Sequence, residues 1–376
     1  MIKIYEHFLK YFVLMLFTVL AFSAFSEETS YNDELDRRIY TLKNKGHFPG
    51  VALAIIKSGI PTYIRTYGEA DISNNIPVSS KTVFELASLT KQMTALAIMT
   101  LVEEEQLSIE SKLVTYVKDA PKEWENITVN QLLSHTAGLS HRFEETVNGT
   151  LLLDYSVDDM LTAAKQTPMH AKPGTDWNYS DQGYFLLGII IEAVSRKTFA
   201  EYMHTKFFKP LGMSQTHLLD QKKVVPYLAQ GYALKNGEIE RNRRVWQFGL
   251  TSHFGVMSSL DDMVRWEAEL ANPSVINRKA LEATWKLQRT FDSGDSCESW
   301  GYSRGWQAHT VEGRRILSHG GYSGTAYIRA VDHNFSIIVL TNREDTQDSL
   351  SPFALGWAAA NFIEPTINAD GLRCWE

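Results

Sequence analysis

The 376-residue chain has two cysteines, Cys297 and Cys374. It has no C-x-x-C pair and no H-E-x-x-H stretch, and its eleven histidines are scattered. Zinc and dithiol redox chemistry are thereby excluded as a basis for function, so no metal or other cofactor is expected. A basic excess is also missing: formal net charge is −7 and the tightest basic cluster is Arg241, Arg243 and Arg244, read as a solvated loop or a rim for a substrate carboxylate. Nucleic acid is therefore not an expected partner. No repeat or low-complexity tract occurs, and the run Phe12 to Phe22 is shorter than a membrane span.

That short run is instead read as part of an export signal. Lys3 and Lys10 precede it, and Ala24-Phe25-Ser26 follows as a small-x-small cleavage pattern. Residues 1–26 are expected to be removed, leaving a secreted or periplasmic protein with no stable membrane span. In such a compartment the two cysteines could pair, tying the C-terminal tail to a loop near Trp300, or remain as free thiols.

What is present is an ordinary globular composition, 44% hydrophobic and 22% charged. Residues 31–46 read as a helix charged on one side. Gly50 to Lys57 and Thr62 to Gly68 read as a hairpin around Ser58-Gly59. Helical patterns then dominate: a short helix capped by Thr128 and Gln131, an amphipathic one from Leu151 to Gln166, another from Gly183 to Val194, and 199–208. After Trp300 strand patterns return, with a hairpin over 305–319, strands Tyr322 to Ala330 and Phe335 to Thr341, and a closing helix Phe353 to Phe362. The expected fold is α+β: an antiparallel β-sheet flanked by helices, with an inserted, mainly helical domain. The expected boundaries are 27–105 with 291–376 for the sheet domain and 106–290 for the helical one.

Three stretches carry chemistry. In Ser88-Leu89-Thr90-Lys91, at the start of a predicted buried helix, the serine and lysine share one face about a turn apart. Such a lysine can act on the serine proton if its surroundings keep it partly neutral, and the helix start offers free N–H groups. The plain alternative for the serine is a helix cap. Trp177-Asn178-Tyr179-Ser180-Asp181 puts a tyrosine just before a helix, where it either reaches into a cleft or packs as a core aromatic. Ser318-His319-Gly320-Gly321-Tyr322 lies at a strand edge that glycine opens to close approach, or forms an ordinary turn. A fourth stretch, Gly301-Tyr302-Ser303-Arg304-Gly305, matches G-x-S-x-G but precedes a strand and turn, so Ser303 is not expected to be a nucleophile.

In this order, and with Leu132 to Leu139 and Tyr179 to Gly188 around them, the three stretches resemble the serine β-lactamase and penicillin-binding-protein superfamily. The likeness is to its class C β-lactamase-like branch of DD-peptidases, D-aminopeptidases and esterases, over about residues 35–365. The resemblance implies Ser88 as nucleophile, with Lys91 and Tyr179 moving its proton, Tyr179 as phenolate when a base is needed. It implies the N–H groups of Ser88 and Tyr322 as the oxyanion hole, beside Gly321. His319 would hold a substrate carboxylate or support Tyr179; as an imidazolium it would lose affinity through about pH 6–7. Asp181 stands where the family pattern ends in Asn. Unable to donate, it is expected to keep Lys91 protonated and to favour esters over β-lactams. The implied function is an exported serine hydrolase acting through an acyl-enzyme on a small ester, amide or D-amino-acid peptide. The alternatives are a true β-lactamase, and an inactive homologue binding peptidoglycan or a partner.

Overall fold

In the computed structural model, the described residues are 32–363 apart from 143–145, 148–149, 152, 243–246, 292–298, 312 and 346–349. The segment 1–26 expected to be an export signal, Arg243, Arg244, Cys297 and Cys374 lie outside them. Among the described residues the frame is a nine-stranded sheet, antiparallel at every pairing, built from strands before residue 78 and strands after residue 288. Strands between 289 and 341 follow one another in space, and Phe335–Thr341 then pairs with Gly50–Lys57, whose neighbour is Ile60–Asp71.

The interior strand Gly50–Lys57 is buried along all but its last residue, which accounts for its unbroken apolar run. Val51, Leu53 and Ile55 face the first helix (residues 32–45, through Leu35 and Ile39) and the last, Pro352–Ile363. Asp36 fastens the first helix by accepting hydrogen bonds from the Tyr63 and Tyr67 hydroxyls at 2.5 and 2.6 Å. Ala52, Ala54 and Ile56 face the larger core, which holds the helix Thr90–Glu103 and the middle of the chain.

The predicted cap of the helix Val129–Leu133 is present, with Thr128 and Gln131 bonded reciprocally. One helix is shorter than its periodicity suggests. Val157–Gln166 starts six residues late because Ser156 and Asp159 close a capping box there, and short strand segments occupy 150–151 and 154–155. The strand expected from Tyr322 begins only at Thr325, so Tyr322 lies in a turn. Helix Leu260–Ala271 brings the fully buried Glu267 against Arg329, itself buried on the strand Thr325–Ala330, with the Tyr327 hydroxyl donating to the same carboxylate.

Candidate active site

Ser88 sits in a short 3-10 turn, Ala87–Leu89, that leads into the helix Thr90–Glu103. Ala87 takes a left-handed conformation with φ of 47°, an uncommon choice for a residue with a Cβ. Such strain persists only where neighbours enforce it. Here Leu86 donates its N–H to Val256 O at 2.9 Å and accepts from Thr325 Oγ1 at 2.9 Å. Thr90 Oγ1 accepts from Val256 N–H at 2.9 Å. The serine turn is thus clamped between the segment at 256 and the large sheet.

Gly321 completes the clamp. A Cβ added there would stand 2.3 Å from Leu86 O, so only glycine lets the sheet edge close on the serine turn. Gly321→Val should cut turnover at least about tenfold by pushing the two apart, with most of the stability kept. Steady-state kinetics beside a thermal melt checks this, and unchanged kinetics would contradict it.

Every residue of the helix from Thr90 to Leu101 is buried, so Lys91 carries its ammonium into the core. Its ammonium donates to Ser88 Oγ at 3.0 Å and to His253 O at 2.8 Å, and forms an ion pair with the Asp181 carboxylate at 2.7 Å. Burial pushes the Lys91 pKa down, but Asp181 and then Tyr179 outweigh it and hold it above the ordinary lysine value. Against its own burial, Asp181 is held to about 2, first by Lys91. The expected charge pairing is therefore present: Lys91 is a cation held against Asp181.

The Tyr179 loop is pinned from below by the stretch around His135. Asn178 N–H donates to His135 O at 2.9 Å, Ser180 N–H to His135 Nδ1 at 3.0 Å, and Asp181 N–H to His141 O at 2.9 Å. Ser180 Oγ donates to Ser140 O and accepts from Gly183 N–H, which starts the helix Asp181–Ser195. The Tyr179 ring centre stands 4.8 Å from Lys91 Nζ and 4.5 Å from the His135 ring. Desolvation raises the phenol pKa, Lys91 lowers it, Asp181 raises it again, and the balance lies above the ordinary tyrosine value. The resting phenol is therefore protonated. The phenolate expected when a base is needed would have to form from this resting phenol, with Asp181 offsetting the stabilisation that Lys91 gives it.

His319 also departs from expectation. It is 2% exposed, donates Nδ1–H to Gly320 O at 2.8 Å and sits 3.4 Å from the Tyr302 hydroxyl through Nε2. Burial, with Lys91 nearby, lowers its pKa to about 4. It is a neutral, enclosed ring beside Tyr179, not an imidazolium offered to a carboxylate, so no loss of affinity is expected through pH 6–7. Its placement suits support of the Tyr179 side, through ring centres 6.1 Å apart.

Tyr322 is 51% exposed, with its hydroxyl donating to Glu344 at 3.1 Å. Ser303 is fully buried and bonded to Trp306 O within its own turn. Its neighbour Tyr302, by contrast, reaches His319 and stands 4.6 Å from the His135 ring. Sequence reasoning did not single out three contributors, namely the His253 carbonyl, His135 and Tyr302. The His135 stretch was quoted as context, and its place below Tyr179 gives it a physical role. A backbone carbonyl such as that of His253 leaves no trace in residue type. Among the described residues no cluster of metal-binding side chains occurs, and no helix is long and apolar enough to cross a membrane.

An antiparallel sheet flanked by helices, with Ser, Lys and Tyr gathered at its edge, defines the β-lactamase-like class of serine hydrolases. The chain belongs to the Beta-lactamase family, whose model matches residues 35–360. It is 30% identical over 325 residues to penicillin-binding protein 4* of Bacillus subtilis (strain 168), covering 81% of this chain and 70% of that one. It is 27% identical over 320 residues to protein flp of Staphylococcus aureus (strain N315), covering 82% of this chain and 62% of flp. Among solved structures, the octameric penicillin-binding protein homologue from Pyrococcus abyssi superimposes with a TM-score of 0.77 at 25% identity, covering 88% of this chain and 77% of that one. EstCE1, described as a hydrolase with promiscuous acyltransferase activity, shares the fold, with a TM-score of 0.75 at 19% identity, covering 89% of this chain and 99% of that one.

Proposed function

We propose that the protein is an exported serine hydrolase that forms an acyl-enzyme on Ser88, acting on small esters or D-amino-acid peptides. The observation that carries this reading is the 3.0 Å contact between Ser88 Oγ and the fully buried Lys91 Nζ. A buried ammonium is costly unless it serves a partner, and here one of its partners is a serine hydroxyl on a strained turn.

Ser88 Oγ attacks the acyl carbon and its proton passes into the Lys91–Tyr179 pair. The N–H groups of Ser88 and Tyr322 receive the oxyanion, each donor contributing about 3–4 kcal/mol to the transition state. The leaving group takes a proton from Tyr179, and water then attacks the ester and releases the acid. Export is supported by the segment before Glu27, and peptidoglycan fragments are a substrate source consistent with it. The likeness to penicillin-binding protein 4* keeps β-lactams as a second substrate class. The test is a panel of p-nitrophenyl esters, D-aminoacyl p-nitroanilides and nitrocefin with wild type and Ser88→Ala. Ester or D-aminoacyl turnover lost in Ser88→Ala supports the reading, and equal turnover by both proteins refutes it.

Asp181 sets the pH dependence. With Lys91 and Tyr179 both raised, the site at pH 7 holds one proton more than the attacking form needs. The acid limb of kcat/KM therefore lies on the alkaline side, rising about tenfold per unit between pH 6 and 8. Asp181→Asn removes the anion that raises Lys91, leaving burial to lower it, so the limb should move to lower pH. An identical limb in both proteins would contradict this. A ratio of ester to cephalosporin turnover unchanged in Asp181→Asn would separately remove any role for Asp181 in substrate choice.

A further inference from the structure

His135 is buried just beyond the short helix Val129–Leu133. Its φ is 59°, in the left-handed region that a residue with a Cβ seldom adopts. In this conformation its carbonyl and its ring both meet the Tyr179 loop. His135 O accepts from Asn178 N–H at 2.9 Å, and His135 Nδ1 accepts from Ser180 N–H at 3.0 Å. One residue therefore holds the backbone on both sides of Tyr179.

The second of these bonds fixes the state of the ring. A backbone N–H only donates, so Nδ1 carries a lone pair and the proton of the neutral imidazole lies on Nε2. Nε2 has no hydrogen-bond partner among the described residues. Rings enclose the imidazole instead: the centres of Tyr179, Tyr302 and Tyr184 stand 4.5, 4.6 and 5.0 Å from its own. A second proton would set Nδ1–H against Ser180 N–H. Burial first, and the Lys91 cation next, push the His135 pKa well below the ordinary histidine value. A left-handed backbone and an unpaired buried N–H are both unfavourable, and both persist at this one residue. What they secure is the hold on the Tyr179 loop.

We propose that His135 is a positioning residue for Tyr179: a neutral imidazole, protonated on Nε2, whose Nδ1 lone pair and carbonyl oxygen fix where the tyrosine side chain stands relative to Ser88 and Lys91. This rests on the acyl-enzyme reading, in which Tyr179 moves the Ser88 proton. His135 acts through the backbone of 178 and 180. Pinning that backbone on both sides sets the direction in which the Tyr179 side chain leaves it. A misplacement of about 1 Å at a reacting group costs about 10²-fold in rate.

The first measurement uses wild type and needs no turnover. The 15N chemical shifts of His135 at pH 7 should report a bare Nδ1 and a protonated Nε2, and a proton on Nδ1 overturns the proposal. The second is a double-mutant cycle on a p-nitrophenyl ester. His135→Gly keeps the carbonyl and adopts the left-handed φ freely, but has no side-chain acceptor. It should lower kcat about 10²-fold while KM changes by less than about threefold. In His135→Asn, Oδ1 stands as many bonds from the backbone as Nδ1 does, and asparagine tolerates positive φ, so at least about tenfold of that loss should return. In a Tyr179→Phe background His135→Gly should cost less than about threefold, because the group it positions is gone. A loss that is equal in both backgrounds, or that His135→Asn does not relieve, overturns the positioning role. Should His135→Gly not fold, His135→Ala takes its place in the cycle. Wild-type turnover by Tyr179→Phe, or no ester turnover at all, would instead refute the part given to Tyr179 in the acyl-enzyme reading, and the Nδ1 shift would then decide the hold on the loop by itself.

Discussion

Lys91→Met is expected to lower turnover by about 10³-fold or more, the usual scale for losing a group that both positions a nucleophile and handles its proton. Methionine fills much of the lysine's volume, so the helix Thr90–Glu103 keeps its packing and the loss is chemical. The variant also leaves the Asp181 carboxylate without the cation 2.7 Å away, and its pKa should rise from about 2 to at least the ordinary value. The sign of the stability change follows. A carboxylate depressed in the fold contributes stability that is full above its unfolded value of 3.8 and is lost as pH falls towards about 2. Wild type should therefore be more stable than Lys91→Met at neutral pH, with the gap narrowing between pH 4 and 2. Denaturant titrations at pH 7, 4 and 2.5 measure it. A gap that is constant over that range would mean that the two side chains are not coupled. Lys91→Met with Asp181→Asn should remove the pH dependence without restoring turnover.

The largest effect on stability is expected away from the site. Glu267 and Arg329 are an ion pair with almost no solvent exposure, and the Tyr327 hydroxyl shares the carboxylate. Arg329 also donates to Ser336 Oγ and Asn334 Oδ1, and lies over the Trp285 ring at 4.9 Å. Glu267→Gln keeps the shape but strands the guanidinium charge in the core, at a cost of about 3–5 kcal/mol. Replacing both residues by methionine should recover most of that, since the desolvation of two ions disappears together with their attraction. Urea midpoints for the single and double variants test the pair. A single variant within about 1 kcal/mol of wild type would show the pair to be incidental.

Much of this was legible in the sequence, for physical reasons that vary from element to element. Gly50 to Lys57 announced itself as a strand because it is buried on both faces and so is apolar throughout. Ser88 and Lys91 were legible because helical spacing fixes their relation before any tertiary contact forms. Tyr179, Asp181 and His319 were found as motif members, but their protonation was not. Whether Tyr179 is a phenol or phenolate depends on the balance between Lys91 and Asp181, and that balance exists only once three distant segments meet. Of the two roles read for His319, a carboxylate ligand or a support for Tyr179, the sequence could not choose, because its burial and its bond to Gly320 O cannot be seen in H-G-G. The late start of the helix at Val157 was readable in Ser156 and Asp159, a capping box overridden by the longer apolar period.

The central claim is that Ser88 becomes acylated, and intact-mass spectrometry of the mature protein after incubation with a fluorophosphonate probe tests it most directly. Wild type should gain one probe mass, located on the peptide containing Ser88, while folded Ser88→Ala gains none. A probe mass retained in Ser88→Ala, or a wild type that stays unlabelled while folded, would contradict the account.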